Sequence, residues 1–278
     1  MNHETSDAAT ADAMLKARHR AMWALGDFPT VVADLVHDHG PVLVEAAGVG
    51  PGDAVLDVGA GSGNVALPAA VAGARVTASD LTPELLEAGR QVAEARGLDI
   101  RWEVGDAESL PYADDSFDRV LSCAGVMFAP HHQRAADELV RVCRPGGTIG
   151  LISWTPESLV GRMVVVMAPF VPPPPPGAQP PPLWGREDYV RGLLGDRVTD
   201  FAAERRPLTI DRFATGVEFR DYYKQNFGPT IAAYRGLADD PDRVEALDDA
   251  LAALGDEHLS GEPPTMEWEY LLVTATVR

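Results

Sequence analysis

Gly59, Gly61 and Gly63 alternate with Ala60 and Ser62 directly after the apolar run Val55-Leu56-Asp57-Val58. Glycines at this spacing suit a backbone that turns sharply and lies close to a ligand, because a Cβ would collide there. A helical pattern follows over 64–72, and amides at such a start face an anion, a carboxylate or a phosphate. A dinucleotide fingerprint, G-x-G-x-x-G, would place its third glycine at position 64, where this chain has Asn64. A purely structural turn between strand and helix remains open for the same residues. Roughly 20 residues further on, the run 74–80 ends in Asp80, as expected of a carboxylate that accepts from a ribose diol. His131 and His132 titrate near neutrality, so either could take a proton from a hydroxyl or an acidic carbon. Either could instead cap or pack a helix start. No His, Cys or carboxylate group has the spacing of a metal site.

These groups need a scaffold, and the chain alternates strand and helix patterns to supply one. Strand-like runs occupy 54–58, 74–80, 100–104, 117–123 and 148–154, with a helix over 133–143 and the turn Arg144-Pro145-Gly146-Gly147 before the fifth. Strand ends in such α/β alternations open toward ligands, which is where the glycines, Asp80, Asp106 and the two histidines fall. Asp57 could also cap the turn after it, and Asp106 could start a loop through an Asx-turn.

Residues 55–63, 76–80, the block Gly105-Asp106-Ala107-Glu108-Ser109-Leu110-Pro111, Ser116-Phe117-Asp118 and Arg144-Pro145-Gly146-Gly147 together resemble the class I S-adenosylmethionine-dependent methyltransferases. The similarity is to the branch holding the ubiquinone/menaquinone-type and natural-product enzymes. It spans about 50–155 and fades toward both ends. It implies a Rossmann-like α/β fold: a seven-stranded, mostly parallel sheet in the order 3-2-1-4-5-7-6, the last strand antiparallel, with helices on both faces and helical lid insertions. It implies S-adenosyl-L-methionine as cofactor and S-adenosyl-L-homocysteine as product. Asp57, Gly59, Gly61 and Gly63 would hold the methionine end, Asp80 and Leu81 the ribose, Asp106 and the Ala107 amide the adenine. Backbone at Ser122 and Cys123 would pass the methionine ammonium.

The flanks read as covers. Residues 1–48 form an N-terminal helical cover, with helices over 8–25, 30–36 and 41–47 and breaks at Gly26-Asp27-Phe28-Pro29 and His39-Gly40. His19, Trp23 and Phe28 are its candidates for touching a substrate, although Met22 and Trp23 also suit a helix's core face. The core is 49–155. Residues 156–278 add a proline-rich arm at 171–184, a helix over 187–194, strands at 198–209 and 266–277, and a helical lid at 213–254. The arm is expected to be a stiff polyproline II rim of the site rather than a docking peptide. Tyr222, Tyr223 and Asn226 are candidates for a substrate wall, or for a tyrosine-lined packing face.

Composition sets the limits. Forty-two acids against 23 Lys and Arg give a net charge of −19, which repels phosphate backbones and anionic headgroups, so neither nucleic acid nor membrane is expected as a partner. Cys123 and Cys143 have no paired spacing, no apolar run has the length of a span, and residues 1–5 lack a basic secretory start. A cytoplasmic enzyme acting on a small molecule is therefore expected, with a homodimer left open. The alternatives are a catalytically silent S-adenosylmethionine-binding regulator or scaffold, and an NAD(P)-dependent oxidoreductase, which Asn64 disfavours.

Overall fold

The structure, a computed structural model, describes residues 2–278, with side chains from Thr10 onward. Three helical stretches lead: α1 (Asn2–Trp23), α2 (Phe28–Val31), which runs into a π-helical turn over Val32–Val36, and α3 (His39–Ala46). Asp27 caps α2 by accepting from the Thr30 amide at 3.1 Å, and Pro29 starts it. The expected break at His39-Gly40 is a helix start instead. A Cβ on Gly40 would lie 1.7 Å from the Asn64 carbonyl oxygen, so this glycine lets α3 press onto the glycine loop.

The core alternates β1 (Ala54–Val58), α4 (Ala66–Val71), β2 (Arg75–Asp80), α5 (Pro83–Ala95), β3 (Ile100–Val104), β4 (Phe117–Cys123), α6 (His132–Val142) and β5 (Cys143–Trp154). Val55, Leu56, Asp57 and Val58 are all buried, as in a central strand covered on both faces. In α5, Leu85, Leu86, Gly89 and Ala93 form the buried stripe of an amphipathic helix that starts on Pro83. The turn Arg144-Pro145-Gly146-Gly147 lies inside β5 as a bulge: Cys143 pairs with Phe117, Thr148 with Arg119, and Gly146 has φ +77°.

The chain continues through α7 (Leu159–Met167), α8 (Glu187–Leu194), β6 (Val198–Ile210), α9 (Gly216–Asn226), α10 (Gly228–Gly236), α11 (Pro241–His258), β7 (Leu259–Ser260) and β8 (Thr265–Val277). The sheet order is β3-β2-β1-β4-β5-β8-β6, with β8 antiparallel to both neighbours. Its seven long strands follow the expected order. The two-residue β7, paired with β8, makes the count eight rather than seven.

The proline arm departs from the expected rod. It turns at Pro175, where the Ala178 amide donates to the Pro175 carbonyl at 3.1 Å and Gly177 has φ +86°, and it ends in a 3₁₀ turn over Pro181–Gly185. Pro182 and Trp184 are buried there, so apolar burial overrides the extended preference of the prolines. A Cβ on Gly185 would lie 2.1 Å from the Trp154 carbonyl oxygen, which fastens the arm to the end of β5. Trp184, 1% exposed, is the anchor. Trp184→Ala should lower stability by about 3–5 kcal/mol, the scale for truncating a buried Trp. Urea unfolding followed by circular dichroism would measure it, and a loss under about 1 kcal/mol would mean the arm is not part of the core.

Candidate active site

Two loops cross at the carboxyl ends of β1 and β4 with backbone against backbone. Gly59 and Gly61 have φ of +67° and +53°. A Cβ on Gly59 would lie 2.8 Å from Gly125 Cα, and one on Gly125 would lie 2.4 Å from the Gly59 carbonyl oxygen. Ser122 ties the crossing, its Oγ donating to the Val58 carbonyl at 2.6 Å and accepting from the Val126 amide at 2.9 Å. Asp80 fixes the far side: Oδ2 accepts from the Gly61 amide and Oδ1 from the Thr82 amide, both at 2.8 Å. Burial pushes the Asp80 pKa up, and these amide bonds oppose the rise.

This crossing floors a cavity of about 720 Å³, measured to its open mouth. Gly59, Gly61, Asp80, Leu81, Asp106 and Ala107 line it from the core, and His19, Trp23 and Phe28 line it from the N-terminal helices. Burial, the largest influence on His19, lowers its pKa. Three expected residues stand behind the wall and line neither this cavity nor the second one described below. Asp57, 1% exposed, accepts from the Ala66 amide at 2.9 Å, the capping role its position also allowed. Gly63 makes room for a core ring, since a Cβ there would lie 2.6 Å from Trp102 Cη2. Ser122 is fully buried.

Lys16 was not legible as a site residue. From α1 its ammonium reaches Asp106 Oδ2 at 2.5 Å, Asp12 Oδ2 at 2.9 Å and Glu108 Oε2 at 3.1 Å, latching the cover to the loop after β3. Burial lowers the Lys16 pKa, but the bonds to Asp106, Asp12 and Glu108 outweigh it and hold the group above the ordinary lysine value. Asp106 Oδ1 accepts from the Glu108 amide at 3.0 Å, so the Asx-turn reading holds while the side chain also faces the cavity. Asp12, Glu108 and His131 bring possible metal-ligand atoms within 4.8 Å of one another, a cluster that sequence spacing did not reveal. The Lys16 ammonium already supplies the positive partner of its two acids.

The expectation of a base at His131 or His132 finds no support in these two cavities, because neither residue lines either of them. His131 Nδ1 is engaged at 2.9 Å by Glu108 Oε2. His132 is fully buried, its Nδ1 lies 3.0 Å from the Tyr189 hydroxyl, and burial lowers its pKa to about 4. Tyr222 and Asn226 also turn away from the site. The Tyr222 hydroxyl donates to Asp34 at 3.0 Å, and Asn226 Nδ2 donates to the Tyr222 carbonyl at 3.0 Å. Tyr223 does reach a cavity, the second one.

That second cavity, also about 720 Å³ to its mouth, lies on the other side of the glycine loop. It shares Gly59, Gly61, Trp23, Phe28, Ala124 and Phe128 with the first. Cys123, Trp154, Tyr223, Phe227 and Trp268 line its depth. Burial, with the charge of Asp57 adding to it, pushes the Cys123 thiol pKa up, so the sulfur stays protonated. Asn64, where a dinucleotide loop has glycine, donates from Nδ2 to the Val36 carbonyl at 3.1 Å and so holds the N-terminal cover to the loop.

A sheet of this order, with a glycine loop after β1, an acid closing β2 and helices over the mouth, defines the Rossmann-like α/β methyltransferase fold. Residues 56–151 match the methyltransferase domain family. An uncharacterized protein of Mycobacterium tuberculosis is 52% identical over 270 residues, 97% of this chain and 98% of its own length. A demethylmenaquinone methyltransferase of a Mycobacterium species is 40% identical over 104 residues, 37% of this chain and 43% of that enzyme. The YcgJ protein from Bacillus subtilis shares the fold at a TM-score of 0.60 and 21% identity, over 87% of this chain and 99% of that one. The chain belongs to one family with the Mycobacterium tuberculosis protein and carries a methyltransferase domain over residues 56–151.

Burial raises the Asp57 pKa from 3.8 to about 7, against the Ala66 amide bond and with the Asp80 charge adding to the rise. Between those values the folded chain keeps a proton that the unfolded chain has released. The stability from this group is thus present below pH 3.8 and lost as pH rises through about 7. Asp57→Asn keeps an oxygen for the Ala66 amide but cannot ionise. Unfolding free energy measured from about pH 5 to 8 should fall for the native chain and fall less for the variant. Parallel profiles would show that Asp57 does not carry this proton.

Proposed function

We propose that this chain transfers the methyl group of S-adenosyl-L-methionine, bound in the first cavity, to an O, C or N atom of a small molecule in the second. The observation that carries this reading is the shared wall: both cavities meet on Gly59, Gly61, Trp23, Phe28, Ala124 and Phe128. A sulfonium methyl group held over that wall would face the acceptor directly. Bound cofactor supplies an already activated electrophile, so the protein's share is in-line positioning at about 3–3.5 Å and exclusion of water.

The residues present fit such a cofactor. The Gly59–Gly125 crossing, with no room for a Cβ at either position, brings loop backbone to the wall of the first cavity. Asp80 accepts from the Gly61 and Thr82 amides while lining the cavity, where it would accept from the ribose hydroxyls, with Leu81 beside it. Asp106 would accept from the adenine amino group while bonded to Lys16, with the Ala107 amide at a ring nitrogen. In this reading residues 1–48 and the helices of 213–254 are covers on a core of 49–155, in a cytoplasmic enzyme with a quinone-like or natural-product substrate. Among the described residues no helix is long and apolar enough to cross a membrane.

Calorimetric titration should give saturable binding of S-adenosylmethionine and none of NAD, and Asp80→Ala should weaken it roughly 10–100-fold, the loss of hydrogen bonds to an ionised group. Release of S-adenosylhomocysteine in a panel of small acceptors would separate an enzyme from a silent binder. Unchanged affinity in a folded Asp80→Ala protein would remove Asp80 from the site.

A further inference from the structure

The second cavity is walled by rings, and two of its lining residues carry a buried polar atom that no described residue satisfies. His39, at the start of α3, is 2% exposed and lines the cavity. Its ring stands edge-on to Trp154 and Tyr270, at centroid distances of 5.2 and 4.4 Å. The Val36 carbonyl acts on the ring as a hydrogen-bond acceptor, and Nε2 is buried with no hydrogen bond. In the neutral tautomer with its N–H on Nδ1, Nε2 keeps a free lone pair. Trp268 lines the same cavity, 1% exposed, and its indole Nε1–H is likewise buried and unpaired. Buried polar groups are nearly always paired, because an unmet one has lost its bond to water with nothing in return. One lone pair and one N–H thus await a ligand that has a donor and an acceptor.

The rest of the lining decides the ligand's charge. Among the described residues no Asp, Glu, Lys or Arg lines this cavity. Burial holds the His39 pKa down at about 4 and keeps the Cys123 thiol protonated, so no ionised group is available to pair with an ion. An ionised ligand would lose its hydration there without compensation. The phenyl and indole edges around Trp154, Tyr223, Phe227 and Trp268 instead suit a planar apolar body.

Building on the proposed methyl transfer, we infer that the second cavity selects an uncharged, ring-bearing acceptor that donates one hydrogen bond to His39 Nε2 and accepts one from Trp268 Nε1. His39 is then a specificity-determining residue that orients a hydroxyl or N–H of the acceptor.

Equilibrium dialysis of the full chain with 2-naphthol, naphthalene and 2-naphthoate tests this. The native protein should bind 2-naphthol about tenfold or more tighter than naphthalene, the usual return for satisfying buried groups, and should bind 2-naphthoate more weakly than 2-naphthol. His39→Phe keeps a ring in the space but has no lone pair. It should reduce the naphthol preference to under about threefold, with naphthalene binding and S-adenosylmethionine affinity held. His39→Gln, which restores an acceptor oxygen, should recover part of the preference and guards against misfolding of the Phe variant. In protein labelled with ¹⁵N-histidine, 2-naphthol should shift one Nε2 resonance that is missing from His39→Phe. Equal binding of the three probes, no binding of any, or a preference that survives in His39→Phe would overturn the inference. Loss of S-adenosylmethionine binding with the naphthol preference intact would instead overturn the proposed transfer reaction and leave the cavity's selectivity standing.

Discussion

The backbone crossing of Gly59 and Gly125 is the constraint on which the site depends. Two loops leave adjacent parallel strands, β1 and β4, and meet where neither has room for a Cβ. Close approach of this kind is stable only if the polar groups around it are paired. Ser122 and the Asp80 carboxylate do that, and the Gly59 and Ala60 amides add bonds to the Ser79 carbonyl at 2.8 and 3.0 Å. One dense knot of hydrogen bonds therefore sets the height of the floor shared by both cavities. An added side chain at either glycine would separate the loops and lift that floor.

The covers are held to the floor by chemistry of different kinds. Lys16 binds α1 to Asp106 and Glu108 through charge in a half-buried setting, where breaking the pair would strand an acid that is almost wholly buried. Asn64 and Gly40 bind the stretch before α3 through one amide bond and one close contact. Gly26 bridges to Phe227, and a Cβ on Gly228 would lie 2.2 Å from the Met22 carbonyl oxygen, so the N-terminal helices and the helical lid close against each other. Trp23 joins them through edge contacts with Phe28, Phe128 and Phe227 at 5.4, 4.8 and 5.5 Å. These rings pack above the loop and narrow the way from solvent to the two cavities.

The two cavities differ in polarity in a way that suits two different ligands. The first has carboxylates, loop amides and an ammonium at its edge. The second is lined by rings and aliphatic groups, with side-chain polarity confined to His39, Asn64, Cys123, Tyr223 and the indole N–H groups of Trp23, Trp154 and Trp268. The negative charge of the chain as a whole plays no part in this division, since none of its ionised side chains among the described residues lines the second cavity.

Much of the scaffold was legible in the sequence because its signals are local. Continuous apolar runs mark buried parallel strands, glycines mark forced turns, and an acid ends β2. These fixed positions 54–58, 100–104 and 117–123 to the residue and led to Gly59, Gly61, Asp80 and Asp106 on one wall. Asp57, Gly63 and Ser122 carry the same local signal, yet they brace the wall from behind, because which side of a loop faces a cavity depends on what packs over it. His131 and His132 read as bases from their place after β4, but burial and the partners Glu108 and Tyr189 were set by distant segments. Lys16, His39 and Trp268 have no local mark at all. They lie far apart in sequence, and only the folding of α1, α3 and β8 around the loop crossing brings them to the two cavities. The sequence by itself thus determined the sheet, the turn and the acids that line the first cavity. The tertiary structure alone decided which polar atoms remain unpaired around the second, because pairing is a property of neighbours brought together by the fold.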